Sequence, residues 1–179
     1  PLLQSSAASD VYKRQALVFG TGADPVEMRR ALGCAEESTV TVLSSIFTEA
    51  QDRVTFIETA LGAIGDCGMQ CIVKLHPRET ETDWEATAER MGLDKPQVLR
   101  GRLWEAIAAA DIVLSWYSST IIDALLLRKP TVVLHLSGKN NPDDLASGGG
   151  VEIVDGRSEL SAALGAVSYT HLRAHETSI

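Results

Sequence analysis

Short apolar runs alternate with longer amphipathic stretches along most of the chain. The runs are rich in β-branched residues and are bounded by turn residues, which predicts strands rather than helices. The predicted strands cover residues 40–43, 71–75, 97–99, 112–115, 131–134 and 151–154. Because the runs are continuously apolar rather than alternating, we expect each strand to be covered on both faces of its sheet.

Between these strands, apolar residues recur at helical spacing, as at Val54, Ile57, Leu61 and Ile64. The predicted helices cover residues 51–64, 83–91, 103–110, 119–127 and 158–164. Only residues 137–150 form a polar gap without a helical pattern. Regular alternation of strand and helix predicts a doubly wound, Rossmann-like α/β fold, with a parallel sheet of about six strands and helices on both faces.

The stretch before the first of these strands has a pattern of its own. Residues 17–33 read as a strand, a Gly-Thr-Gly turn and a helix capped by Asp24, with Pro25 at its first position and Gly33 at its end. The turn resembles half of a dinucleotide-binding fingerprint but lacks its third glycine. We therefore interpret residues 16–38 as a connector from an amino-terminal domain outside the chain, and residues 39–166 as a nucleotide-binding domain.

The two ends of the chain are related to each other. When residues 10–15 are back-translated as GAT GTG TAT AAG AGA CAG, the reverse complement reads Val-Ser-Tyr-Thr-His, which is the sequence of residues 167–171. Residues 5–15 and 167–177 both resemble translated adapters of transposase-based sequencing libraries. We therefore expect residues 1–15 and 167–179 to be adapter-derived and the remainder to be a metagenomic gene fragment, with two ordinary disordered tails as the alternative.

Composition excludes several classes of protein. With 45% hydrophobic and 22% charged residues, the chain of 179 residues fits one globular domain. A net charge of −8 argues against a nucleic-acid-binding surface. Neither a membrane-spanning run nor a signal peptide is found, so we expect a cytoplasmic protein, with peripheral association at the inner membrane as an option for the full-length protein. The three cysteines and the histidines lack metal-ligand spacing, so no metal is expected.

Polar residues cluster where three of the predicted strands end. In a doubly wound sheet, ligands bind beyond the carboxyl ends of the strands, where the strand order reverses. For an order of 3-2-1-4-5-6, that point lies between the first and fourth strands. The first strand is followed by Ser44 and Ser45, the second by His76 and Arg78, and the fourth by residues 118–120. We expect these segments to form one crevice.

Ser118, Ser119 and Thr120 precede a predicted helix, where hydroxyls and free backbone N–H groups favour an anion such as phosphate. Simple helix capping is the alternative interpretation. Asp123 lies four residues after Ser119, on the same helix face, at a distance suited to the ribose hydroxyls of a nucleotide. The alternative is a carboxylate that contacts solvent or an arginine.

His76 precedes Pro77, which favours extended geometry and predicts that the imidazole projects into the crevice. There it is a candidate donor to a phosphate or base carbonyl, or a general acid or base, with a structural loop histidine as the alternative. Arg78 is the candidate counter-charge for phosphate. His135 lies in an apolar run and is interpreted as a satisfied strand residue. The acidic residues Glu79, Glu81, Asp83, Glu85 and Glu89 are interpreted as a solvated helix start.

Two segments carry a resemblance to a known family. The sequence IVKLHP at residues 72–77 and the sequence ADIVLSWYSSTIIDALLLRKPTVV at residues 110–133 resemble the carboxyl-terminal nucleotide-binding domain of GT-B, double-Rossmann glycosyltransferases. They are most similar to polysialyltransferase-like and glycerophosphotransferase-like enzymes. UDP-N-acetylglucosamine 2-epimerase shares the architecture, although the loop at residues 44–49 lacks the H-R-x-x-N-type sequence of those enzymes.

The resemblance implies that His76 and residues 118–120 contact the phosphates of an activated donor. Asp123 stands where many members of the family carry a glutamate for the ribose. The implied function is the donor-binding half of a glycosyltransferase of surface polysaccharide biosynthesis, which takes a nucleotide-sugar or CDP-polyol donor as substrate and needs no separate cofactor. The acceptor site and catalytic base would belong to the amino-terminal domain, so the fragment alone is expected to be inactive. The alternatives are a 2-epimerase-like enzyme and a non-catalytic nucleotide-binding module.

Overall fold

The computed structural model describes residues 24–47, 49–79, 82–116, 118–136 and 150–176. Its strands are β1 (Thr39–Leu43), β2 (Gln70–Lys74), β3 (Gln97–Leu99), β4 (Ile112–Ser115), β5 (Thr131–Leu134) and β6 (Val151–Val154). They form one six-stranded sheet in the order β3-β2-β1-β4-β5-β6. Every neighbouring pair is parallel. The predicted doubly wound fold is therefore confirmed, and the strands have the order that was assumed in locating the site.

The helices of the described residues alternate with these strands. They are α1 (Pro25–Leu32), α2 (Ala50–Asp66), α3 (Thr82–Met91), α4 (Leu103–Ala109), α5 (Ile121–Leu126) and α6 (Arg157–Glu176). Contacts between helices place α2, α3 and α6 together in one layer, whereas α4 packs with α1 and α5. The sheet therefore has helices on both faces, as right-handed parallel crossovers require.

Successive side chains of each strand serve the two layers in turn. Val40 and Val42 of β1 join Ile112 of β4 in the core that includes residues of α2, α3 and α6. Leu43 and Val113 point the other way and pack with α4 and α5. All residues of β1, β4 and β5 are buried, which explains why their sequences lack the alternation of a half-exposed strand.

Helix α1 forms as its sequence predicts. The Asp24 side chain accepts a hydrogen bond from the backbone N–H of Val26 at 3.0 Å, Pro25 opens the helix, and Gly33 ends it with a φ of 73°. Leu32 packs in a small core that contains Ile72 of β2. Helix α1 is therefore part of the packed domain, and its role as a connector stays a prediction. The strand and Gly-Thr-Gly turn predicted before it lie outside the described residues, as do residues 1–15.

The helices differ from their predicted bounds by at most two residues at an end, except at the carboxyl-terminal end of α6, and two of these differences have a structural meaning. Helix α5 begins at Ile121 instead of Ser119, because residues 118–120 form a hydrogen-bonded turn. Helix α6 continues to Glu176 instead of ending near Leu164, and Val167 packs against the core. The segment from residue 167 to 176 is thus helical rather than a disordered tail, and its adapter origin stays a prediction.

Candidate functional site

The carboxyl edge of the sheet, meaning the side at which the strands end, brings the predicted site segments together. Leu43 at the end of β1 is in register with Lys74 of β2 and with Ser115 of β4. Neighbouring strands lie about 4.8 Å apart, so the ends of β2 and β4 are separated by roughly 10 Å. That span suits a small phosphorylated ligand. The loops after β1, β2 and β4 therefore open on the same edge, as the strand order predicts.

The loop after β2 holds His76 in a defined orientation. The backbone N–H of Glu79 donates to the His76 carbonyl at 2.9 Å, which closes a tight turn around Pro77. Nδ1 of His76 accepts the backbone N–H of Arg78 at 3.3 Å. A neutral imidazole that accepts at Nδ1 carries its proton at Nε2. In that tautomer Nε2 is the nitrogen that can donate a hydrogen bond, and its donation to a ligand stays a prediction.

Arg78 lies two residues after His76, and its side chain is exposed. Among the described residues no acidic side chain forms an ion pair with its guanidinium. A guanidinium without a carboxylate partner can bind phosphate through two parallel hydrogen bonds. This arrangement fits the predicted role of Arg78 as a counter-charge.

Glu79 is buried rather than solvated, which corrects its interpretation as part of an exposed acidic run. It is 6% exposed. Its carboxylate accepts the Ser44 hydroxyl at 2.7 Å and the His76 backbone N–H at 2.8 Å. Arg100, which follows β3, donates to the Glu79 carbonyl at 2.8 Å. A carboxylate three residues after a loop histidine can fold back onto its N–H, and this spacing is the signal in the sequence that identifies it.

The segment after β4 forms a compact turn. The hydroxyls of Ser118 and Thr120 lie 2.7 Å apart, and the Thr120 N–H donates to Ser118 Oγ at 3.3 Å. The backbone N–H groups of residues 121–123 donate to the carbonyls of residues 118–120 at 3.0–3.1 Å. The expectation of free N–H groups at this helix start is therefore wrong for residues 120–123, because the turn uses them.

Ser119 is the most open hydroxyl of the turn: it is exposed, and its side chain forms no hydrogen bond with any described residue. Asp123 is half-buried, and burial raises the pKa of its carboxyl above the usual value. Within the described residues no arginine or lysine pairs with it. Ser45 is only 8% exposed, so it is a less accessible ligand contact than Ser119. The binding roles of all these residues stay predictions.

An aromatic cluster lies beneath the carboxyl edge. Phe47, in the loop after β1, packs edge-on against Trp116 after β4, with ring centroids 4.5 Å apart. Phe56 of α2 contacts both rings, at 5.4 Å and 5.7 Å. Aromatic pairs in this geometry add about 0.5–1.5 kcal/mol beyond simple burial. The cluster therefore anchors the β1 and β4 loops to each other.

His135 is also located at the carboxyl edge, which corrects its interpretation as a strand residue. Strand β5 ends at Leu134, and Nδ1 of His135 lies 3.2 Å from a carboxylate oxygen of Asp155, which follows β6. Nε2 of this histidine is buried and has no hydrogen-bond partner among the described residues. The sequence did not reveal the His135–Asp155 pair, because His135 lies in an apolar run and Asp155 is twenty residues away.

The opposite edge of the sheet holds two depressions of about 510 Å³ and 470 Å³. Cys34 and Cys71 line the first, and burial raises the pKa of the Cys71 thiol to about 12, so this thiol stays protonated at neutral pH. All three cysteines are free. In the described part of the chain no group of ligating side chains is arranged for a metal ion.

Solved structures of known proteins share this fold. HepE of Anabaena, in complex with UDP and glucose, aligns with a TM-score of 0.58 at 18% identity, over 85% of this chain and 43% of that chain. UDP-GlcNAc 2-epimerase from Neisseria meningitidis, bound to UDP-GlcNAc, gives 0.52 at 15% identity, over 84% and 40%. The 2-epimerase from Methanocaldococcus jannaschii gives 0.50 at 13% identity, over 84% and 49%.

The chain thus spans less than half the length of each of these structures. No protein-family model and no curated protein sequence matches it. At such low identities the likeness shows the fold alone, a Rossmann-like α/β fold with a six-stranded parallel sheet. No helix among the described residues has both the length and the apolar character needed to cross a membrane.

Proposed function

We propose that this chain is the donor-binding, carboxyl-terminal half of a glycosyltransferase that uses a nucleotide-activated sugar or polyol phosphate. Two observations support the proposal. The sequence at residues 72–77 and 110–133 resembles that half of GT-B enzymes, and the fold is shared with structures that hold UDP with glucose or UDP-GlcNAc. The setting would be cytoplasmic synthesis of a surface polysaccharide.

The observation that carries the proposal is that two groups lie together after β2: the oriented imidazole of His76, and Arg78, whose guanidinium pairs with no acidic side chain among the described residues. Nε2–H of His76 and the guanidinium of Arg78 would contact the donor phosphates, with the Ser119 hydroxyl approaching from the end of β4. Such groups would stabilise the charge that develops on the leaving nucleotide, and the His76 imidazole is already oriented by its hydrogen bond from the Arg78 N–H. The Asp123 carboxylate would accept the ribose hydroxyls.

A 2-epimerase-like enzyme is the second candidate, favoured by the fold that two solved 2-epimerases share with this chain. A non-catalytic nucleotide-binding module is the third. All three would use the same nucleotide contacts, so they differ in chemistry rather than in binding. The acceptor site and the catalytic base of a transferase would come from an amino-terminal domain.

The binding proposal is tested by titrating the chain with UDP, CDP and CMP in a calorimeter. We expect the parent to bind at least one nucleotide, and His76→Ala, Arg78→Ala and Ser119→Ala to bind it more weakly. A hydrogen bond to a charged group contributes about 1.5–3 kcal/mol, so the histidine and arginine variants should lose roughly 10- to 100-fold in affinity.

Lys95→Ala is the matched control for Arg78→Ala, since it removes an exposed cation from the opposite edge of the sheet. It should bind like the parent. If His76→Ala, Arg78→Ala and Ser119→Ala bind all three nucleotides as well as the parent does, the proposed site is wrong. In the full-length protein, conversion of UDP-GlcNAc to its C2 epimer without any acceptor would favour the epimerase over the transferase.

A further inference from the structure

Glu79 links the loops after three neighbouring strands through buried contacts. Its Oε1 accepts the hydroxyl of Ser44 after β1, and its Oε2 accepts the N–H of His76 after β2. Its carbonyl accepts Arg100 after β3. We infer that Glu79 is a positioning residue, which fixes the loop so that His76 presents Nε2–H to the donor phosphate. This inference rests on the proposed function of the site.

The buried charge of Glu79 is compensated within the protein. The Arg53 guanidinium of α2 lies 3.6 Å from Glu79 Oε1, with its Nη2 also 2.8 Å from a carboxylate oxygen of Asp83. Burying a carboxylate costs several kcal/mol unless charges and hydrogen bonds offset the loss of water. Arg53 and two hydrogen-bond donors lie beside the Glu79 carboxylate and offset this cost, so less of its charge repels an anion bound at the carboxyl edge.

The contacts of Glu79 determine which imidazole nitrogen is available. Oε2 holds the backbone of His76, and the Glu79 N–H closes the turn onto the His76 carbonyl. Within that turn the Arg78 N–H reaches Nδ1 of the imidazole. If the turn opens, Nδ1 loses this donor and the proton no longer favours Nε2. Glu79 therefore acts on the ligand through His76, without contacting it.

A double-mutant cycle tests this coupling. We expect Glu79→Ala to weaken UDP or CDP binding by about as much as His76→Ala, roughly 10-fold or more, since both remove the same donor. Adding Glu79→Ala to His76→Ala should then cause no further loss. If the two losses instead multiply in the double variant, Glu79 acts independently of His76 and the inference is overturned.

Glu79→Gln is the conservative variant. Its amide oxygen can accept the His76 N–H while its NH₂ group donates to Ser44 Oγ, so the turn is kept and nucleotide affinity should stay within about threefold of the parent. Glu85→Ala, which removes an exposed acid of α3, is the control for the change in charge. A loss with Glu79→Gln as large as with Glu79→Ala would contradict a role in positioning.

Nitrogen-15 NMR of the histidine side chains tests the same inference without any nucleotide. In the parent at neutral or higher pH, His76 should show the Nε2–H tautomer, and in Glu79→Ala it should show a mixture of tautomers. A folded Glu79→Ala variant with an unchanged tautomer would refute the inference. This readout separates the positioning role of Glu79 from the proposed function, because the tautomer of His76 can be measured even if no nucleotide binds.

Discussion

Arg29 is a charged side chain buried at the base of the sheet, where it is only 3% exposed. Its Nε donates to the Ala109 carbonyl at 2.8 Å, Nη1 donates to the Glu36 carbonyl at 3.0 Å, and Nη2 pairs with the Asp111 carboxylate. Asp111 in turn accepts the backbone N–H of Thr39 at 2.8 Å. This network holds α1 against α4 and the starts of β1 and β4.

Replacing Arg29 with methionine should therefore lower the free energy of unfolding by about 3–5 kcal/mol, because it leaves the Asp111 carboxylate and two carbonyls without their partner. Urea denaturation followed by circular dichroism measures the change. Arg30→Met is the control, since Arg30 pairs with Glu36 on the surface and such pairs contribute about 0–1 kcal/mol. Equal losses in the two variants would show that burial of Arg29 is unimportant.

The lowered pKa of the partly buried Lys129 predicts that the free energy of unfolding depends on pH. Its ammonium donates to the carbonyls of Ala108 and Ala110 at 2.8 Å and 2.7 Å, and burial lowers its pKa from 10.5 to about 8, opposed by the nearby Asp111 carboxylate. Between pH 8 and pH 10.5 the Lys129 side chain is therefore protonated in the unfolded chain and largely deprotonated in the folded chain. Raising the pH from 8 to 10.5 therefore favours the folded state.

The free energy of unfolding of the parent should accordingly rise relative to that of Lys129→Met over this range, and the difference should be constant between pH 6 and 7. Urea titrations at a series of pH values, at constant ionic strength, measure it. Using the difference between parent and variant cancels the other groups that titrate there. A parent curve parallel to the variant curve would contradict the lowered pKa.

At the level of single residues, the sequence predicted which strand ends carry polar groups but not how those groups contact one another. His76, Arg78 and Ser119 were identified because each lies in a loop that follows a strand. The buried state of Glu79 was missed, since its partners Ser44 and Arg53 are more than twenty residues away and only the fold brings them close. In the sequence Glu79 resembled the acidic residues that follow it, of which Glu85 and Glu89 are exposed.

At the level of elements, the strands were predicted within one residue at each end, because their β-branched apolar runs stop at clear turn residues. Helix ends were less predictable. Serine is a common residue at helix starts, so Ser119 was predicted to begin α5. Residues 118–120 instead form a turn through their hydroxyl and carbonyl groups, and α5 begins at Ile121. Local side-chain to backbone bonds compete with the helix, and a pattern of apolar positions does not reveal their outcome.

Helix α6 gives a test of the predicted adapter segment. Among the residues of this helix whose burial is described, which end at Val167, the last fully buried one is Leu164, and Val167 is partly buried against the core. Deleting residues 168–179 should therefore leave the melting temperature within about 2 °C of the parent, while the helical circular dichroism signal falls. Thermal unfolding of the two chains measures this. Loss of cooperative unfolding would mean that the carboxyl-terminal segment is part of the native domain.

For the whole molecule, the doubly wound parallel sheet followed from general rules of chain connection, and the shared edge of the site followed from the strand order assumed for such a sheet. A parallel sheet needs helices on both of its faces, and the helical patterns between the strands predicted them. The side-chain geometry of the site could not be derived in this way, because it depends on contacts between loops that are close only in the folded chain. Those contacts include the Phe47–Trp116 pair.

That aromatic pair gives the protein its own optical probe. Trp116 is 8% exposed and lies directly below the carboxyl edge, whereas Trp84 is fully enclosed by the core. With Trp84 and Trp104 replaced by phenylalanine, fluorescence would come from a single indole at the β1 and β4 loops. A shift in its emission would follow nucleotide entry in real time, without any attached dye.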